Sequence, residues 1–215
     1  ECLFYAGGND SMDTVKMLSD YAAAHNKPQR FMGVPKTIDN DLPVTDHCPG
    51  YGSAAKYIAT SVKEIIRDNE SFGAQKPTVC IVEIMGRNAG WLTAAAALAK
   101  GPDCSGCDAI YLPEKVFDVD AFVAKVKELA KTKTSVVIAV SEGVHIADGR
   151  YVCELANENV AVDAFGHKQM SGLPCTGCCR RDRIKDKSRR VLHITESGNT
   201  SCILNGYQRS VPGWR

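Results

Sequence analysis

The chain has 215 residues, of which 44% are hydrophobic and 24% charged, and its net charge is +1. That length allows one large α/β domain or two modest ones. The balanced charge gives no global attraction for nucleic acid or an anionic membrane surface, and no apolar run approaches the ~20 residues that cross a bilayer.

The opening stretch, Glu1-Cys2-Leu3-Phe4-Tyr5-Ala6, has neither the basic region nor the cleavage pattern of a signal peptide. It reads as the inside of a strand, so the sequence is expected to begin mid-protein. Gly7-Gly8-Asn9-Asp10 then turns into a helix over residues 11–25, where Val15, Leu18, Ala22 and Ala23 recur at helical spacing. Residues 30–34 form a second strand, stopped by Pro35. A long helix over residues 51–69 places Ala55, Ile58, Val62, Ile65 and Ile66 on one face. The β-branched run over residues 78–85 is a strand, 91–100 an Ala-rich helix, 108–112 a strand and 119–131 a helix. A further apolar strand over 135–140 ends at Ser141-Glu142-Gly143.

Strands alternating with helices predict βαβ units and an α/β fold of mostly parallel sheet with helices on both faces. In such sheets ligands bind beyond the carboxyl ends of the strands. Four polar or Gly-rich clusters occupy those positions, so all four are expected at one edge of the sheet: GGND, PKTIDND, MGRN and SEG.

Gly7 and Gly8 let the backbone approach an anion where the first N–H groups of a helix point at it. The same pair also suits an ordinary tight turn. Asn9 and Asp10 can hold a magnesium ion that bridges phosphates. Lys36-Thr37-Ile38-Asp39-Asn40-Asp41 concentrates an amine, a hydroxyl and two carboxylates in one segment. Phosphoryl transfer to an alcohol needs a base for the hydroxyl proton and a cation for charge developing on phosphate. Asp39 suits the first role and Lys36 the second, with Asp41 placed to orient Asp39; an Asx-rich turn would look similar. Arg87 in Met85-Gly86-Arg87-Asn88 offers a planar fork for phosphate or sugar hydroxyls, and Glu142 can accept hydrogen bonds from vicinal hydroxyls. Asn88 and Gly90 fit a structural cap equally well. His145 and His167 have no nucleophile nearby in a recognisable pattern, and a polar or packing role is expected for both.

Taken together, the four clusters resemble the 6-phosphofructokinase family over residues 2–172, most specifically in Pro-Lys-Thr-Ile-Asp-Asn-Asp and Met-Gly-Arg. The resemblance implies that Thr37, Ile38 and Asp39 contact a sugar phosphate and that Asp39 takes the proton of its 1-hydroxyl. It also implies that Met85, Gly86 and Arg87 form a second substrate-binding stretch. Glu142 matches the carboxylate that binds fructose 6-phosphate, and Gly8 belongs to the phosphate-donor loop with Gly7. ATP-using members typically carry Gly at the positions of Asp10 and Lys36. The pair found here is associated with pyrophosphate-using members, in which a carboxylate repels a nucleotide α-phosphate. Asn9 stands where the family usually has the metal-binding Asp.

The implied protein is a Mg2+-dependent, cytoplasmic, pyrophosphate-linked phosphofructokinase of glycolysis. It is expected to be a homo-oligomer with neither nucleic acid nor membrane as partner. The alternatives are an ATP-dependent enzyme or a catalytically silent regulatory subunit of the family. Because the family has another Gly-rich donor loop upstream, residues 1–172 are expected to be a catalytic fragment that is itself inactive.

Residues 173–215 differ in character, with nine Lys or Arg against three Asp or Glu. A basic arm for nucleic acid, a solvated tail and a lost reading frame all fit. An abrupt end to the resemblance favours the lost frame. The ten cysteines, without a secretion signal, are expected as reduced thiols. Two CxxC pairs, Cys104/Cys107 and Cys175/Cys178, lie too far apart for a compact zinc module.

Overall fold

The computed structural model describes residues 1–72 and 77–155 in full, together with the backbone of three strands further on. The chain divides into two compact units, Glu1–Gly52 and Ser53–Arg215.

The first unit pairs β1 (Cys2–Gly7) with β2 (Arg30–Pro35) in parallel, and Gly7 stands opposite Pro35. A right-handed crossover is the ordinary way to join parallel neighbours, and α1 (Asn9–Ala24) makes the connection. Gly33 of β2 leaves room for the Met12 side chain, whose sulfur would lie 2.7 Å from a Cβ there. The other face of this sheet carries Phe4, Met32 and Val34, all exposed.

In the second unit α2 (Tyr51–Ser71, which begins in the first) leads to β3 (Thr78–Ile84). Then come α3 (Trp91–Ala94), β4 (Ala109–Tyr111), α4 (Val119–Thr132) and β5 (Ser135–Ser141). The Ala-rich segment predicted as one helix is a single α-turn that tightens into a 3-10 helix over Ala95–Ala99. β5 lies between β4 and β3, parallel to both, with Ile84 opposite Ser141. Both faces of β3 and β5 are buried, as their continuous apolar runs require. One face packs Val79, Ile81, Val136, Ile138 and Val140 against Phe122, Val123 and Val126 of α4. There Tyr111, Phe117 and Phe122 form an aromatic trio with ring centroids 5.1–5.3 Å apart. On α2, Ile58, Val62 and Ile66 are buried, and Asn69 donates from Nδ2 to Ser135 Oγ at 2.7 Å.

Beyond residue 155 the backbone adds β6 (Arg189–Ile194) parallel to β3, then β7 (Thr200–Leu204) and β8 (Tyr207–Ser210) as an antiparallel extension. The sequence predicted no elements there, because Arg-rich runs without apolar periodicity carry no local strand signal. His167, Cys175 and Cys178 lie outside the described residues. The described cysteines, Cys104 and Cys107 among them, are free thiols.

The α/β class and parallel pairing agree with expectation. The single sheet edge does not, because the strands separate into two sheets. Each sheet carries two of the four clusters at the carboxyl ends of its parallel strands. Sequence periodicity distinguishes a strand from a helix but leaves open which strands pair.

Candidate functional site

The first unit brings Gly7, Gly8, Asn9 and Asp10 together with the 36–41 segment. β1 and β2 end level with each other, and one further bond ties the loops that follow: the Lys36 N–H donates to the Gly7 carbonyl at 2.9 Å. Gly7 also lets α1 start close against the strand end, since a Cβ there would overlap Ser11 Oγ. Gly8 is the N-cap of α1 and supplies no side-chain oxygen to the first-turn N–H groups. Those groups carry the positive end of the helix dipole, which suits an anion.

Past Lys36 the segment is shaped by its own polar groups. Thr37 Oγ1 accepts the Asp39 N–H at 3.1 Å. Asn40 is buried with φ of 60°, a left-handed conformation that asparagine tolerates well. Its Nδ2 donates to the Asp46 carbonyl at 3.2 Å and its Oδ1 accepts the Cys48 N–H at 2.8 Å. Asn40 therefore pins the loop from behind. Ile38 packs beside Gly50, where a Cβ would stand 3.1 Å from its methyl. Asp41 Oδ1 is buried with no hydrogen-bond partner.

In the second unit, the chains leaving β3 and β5 interlock. The Glu142 N–H donates to the Ile84 carbonyl at 3.0 Å, continuing the ladder by one residue. Gly86 is then held from two sides. Its N–H donates to Glu142 Oε1 at 3.2 Å, and its carbonyl accepts from Ser141 Oγ at 2.5 Å. Gly86 has φ of 135°, which only glycine adopts without strain. Met85 precedes it, partly buried. Arg87 follows, with its Nε buried and unpartnered. The Arg87 carbonyl lies against Gly143 so closely that a Cβ at Gly143 would overlap it. At the far end of the same loop, the Gly90 N–H donates to Glu114 Oε1 at 2.7 Å. Sequence reasoning missed Ser141, Asn40 and Glu114. The signal for Glu114 was available: it follows β4 as the other clusters follow their strands.

Asp103 bridges Lys63 and Arg67 of α2 at 2.7 and 2.6 Å. The Lys63 hydrogen bond and charge, with Arg67, hold its carboxyl below the usual range. Burial, together with the neighbouring Asp108 and Cys104, pushes the Cys107 thiol up to about 12. His145 serves through its backbone, its carbonyl accepting the Phe117 N–H at 2.7 Å.

Comparison with known proteins gives this geometry a context. A family profile described as Phosphofructokinase matches residues 1–185. The chain belongs to the phosphofructokinase family. Pyrophosphate–fructose 6-phosphate 1-phosphotransferase of Xanthomonas campestris is 48% identical over 170 residues, which is 79% of this phosphofructokinase chain and 40% of the relative. The enzyme of the same name from Rhodospirillum rubrum is 47% identical over 212 residues, covering 96% of this chain and 52% of the relative. Among solved structures, a pyrophosphate-dependent phosphofructokinase from Nitrosospira multiformis superposes with a TM-score of 0.57 at 43% identity. It covers 69% of this chain and 38% of that one. The chain thus spans about half the length of the curated relatives it matches. The profile and the Rhodospirillum alignment both run past Gly172, so resemblance continues into the segment for which a lost frame was favoured. No helix among the described residues is long and apolar enough to cross a membrane.

Proposed function

We propose that the protein carrying this chain transfers a phosphoryl group from pyrophosphate to the 1-hydroxyl of fructose 6-phosphate, giving fructose 1,6-bisphosphate in glycolysis. The observation that carries the reading is the joining of two loops: Gly7-Gly8-Asn9-Asp10 and Lys36-Thr37-Ile38-Asp39 meet through the Lys36 N–H and the Gly7 carbonyl. Donor-binding and acceptor-activating residues then share one backbone frame.

In this mechanism the 1-hydroxyl oxygen attacks the near phosphorus of pyrophosphate, its proton passes to an Asp39 carboxylate oxygen, and the bond to the leaving phosphate breaks. Thr37 and Ile38 fix the approach of the sugar, with Asp41 beside them. Lys36 offsets the charge that builds on the transferring group. The uncapped first turn of α1 receives the donor beside Gly7 and Gly8. Asp10 sets a negative charge where a nucleotide would need its α-phosphate, which selects the shorter donor. Arg87, with Met85 and Gly86, and Glu142 bind the sugar phosphate through its anion and its hydroxyls.

The residues fit a magnesium ion. Asn9 and Asp10 offer hard oxygen donors, and Mg2+ needs only one or two protein ligands because it keeps waters and substrate phosphates. Asn9, with Asp10, would hold it, and the ion would supply charge neutralisation on the phosphate oxygens.

The same reading includes a cytoplasmic location and a homo-oligomer. A coupled assay on the product of the complete gene, with pyrophosphate and ATP compared at matched concentrations, tests the donor. Pyrophosphate should support the faster turnover; equal or better use of ATP overturns that assignment.

A further inference from the structure

Ser141 is a buried serine at the carboxyl end of β5, next to a carboxylate assigned to sugar binding, and no role in the reaction has been given to it. Three observations converge on it. Its side-chain oxygen donates to the Gly86 carbonyl at 2.5 Å and accepts the Gly143 N–H at 3.4 Å. Gly86 is the left-handed hinge directly before Arg87. Glu142, one residue on, holds the N–H of that same glycine at 3.2 Å.

These two bonds differ in what ligand binding does to them. The Glu142 carboxylate has a finite number of acceptor sites, and sugar hydroxyls would compete with the Gly86 N–H for them. The Ser141 hydroxyl sits behind the loop, wholly inside the protein, where no ligand reaches it. A hydrogen bond to a buried carbonyl is also costly to lose, since the carbonyl then stays desolvated without a partner.

We propose that Ser141 is a positioning residue that holds the Gly86 hinge, and with it Arg87, so that Glu142 can release the Gly86 N–H and turn to the sugar hydroxyls. Glu142 is a latch in the free protein, and Ser141 is the fixed pin that keeps the loop in place once the latch opens. This role rests on the sugar-phosphate reading of Arg87 and Glu142 given above.

The test uses the complete gene product, with KM measured separately for fructose 6-phosphate and for pyrophosphate. Ser141→Ala should raise KM for fructose 6-phosphate about tenfold, the scale of one buried hydrogen bond, and leave KM for pyrophosphate within about twofold. Ser141→Thr keeps the hydroxyl and should restore the wild-type value to within about threefold. Because Ser141 acts through Arg87, the Ser141→Ala effect should fall below about twofold in an Arg87→Ala background. An equal factor in both backgrounds overturns the role, as does an unchanged KM for fructose 6-phosphate in Ser141→Ala. A parallel rise in both KM values with a lowered melting temperature also overturns it, because that pattern marks a general fold defect. If Ser141→Ala does not fold, the Thr variant decides: wild-type melting with KM for fructose 6-phosphate still raised overturns the role. Wild-type protein with no turnover of fructose 6-phosphate would sink the functional reading and this role together, whereas an active wild type with an unaffected Ser141→Ala sinks the role alone.

Discussion

At the scale of single residues, the loop after β2 is held by Asn40, which stands between two carboxylates. Asn40 takes the left-handed turn and fastens it to the backbone at Asp46 and Cys48. Asp39 is thereby presented on a loop that Asn40 fastens directly after it. Asp39→Asn should therefore fold normally and lose turnover by at least ~10²–10⁴, the range of general base catalysis, with little change in melting temperature. Near-normal kcat would remove Asp39 as the base. A second residue-scale prediction concerns Cys107. A thiol ordinarily titrates near 9.0, and burial raises this one to about 12. Below the lower value both the folded and unfolded thiol are protonated, so stability is unaffected. Between the two values the unfolded chain releases a proton that the folded chain keeps, so stability falls as pH rises. Each pH unit in that window costs up to about 1.4 kcal/mol. In denaturant melts, the stability of the wild type relative to Cys107→Ala should fall as pH rises through the window. A constant gap between them would show that the thiol does not titrate as its burial requires.

At the scale of elements, much was legible. The β-branched runs of β3 and β5 and the helical spacing of α1, α2 and α4 placed those elements to within a few residues, because burial of an apolar face imposes a local period. The post-strand position of all four clusters was legible for the same reason. What was hidden depends on contacts between distant segments. Ser141 and Gly86 are separated in sequence by α3, β4 and α4, and nothing in the spelling of either announces their bond. The end of the Ala-rich helix was equally hidden, since Ala95–Ala99 has strong helical propensity yet tightens into a 3-10 turn. The close approach of Gly143 to the Arg87 carbonyl gives an element-scale prediction. Gly143→Ala should push the two loops apart and raise KM for fructose 6-phosphate by more than about tenfold, since small-to-large changes in tight packing cost roughly 1–3 kcal/mol. Wild-type KM in that variant would mean that the loops can slide without affecting binding.

For the molecule as a whole, the proposed function assigns the choice of phosphate donor to two residues of one unit. Asp10 lies in the first turn of α1 and Lys36 follows β2, and the backbone joins their loops. Exchanging Asp10→Gly alone removes the repulsion toward a longer donor but leaves the ammonium. Exchanging Lys36→Gly alone removes the charge that offsets the transferring group. The double variant should shift the ratio of ATP to pyrophosphate turnover, measured as kcat/KM, by more than about a hundredfold relative to wild type, equivalent to about 2.7 kcal/mol. An unchanged ratio would place donor choice elsewhere in the protein. The separation into two units, Glu1–Gly52 and Ser53–Arg215, was not legible from periodicity. The strands β1 to β5 carry the same kind of apolar run, and only their pairing tells the two sheets apart.

Gly8 at the start of α1 has one more consequence. A helix whose first turn has no side-chain cap is a helix whose leading amides exchange with solvent early, because fraying begins where the orphan N–H groups are. An anion seated there would act as the missing cap. If the donor sits where the proposed function places it, its occupancy should be readable without any turnover, as slowed deuterium uptake confined to the amides that open α1.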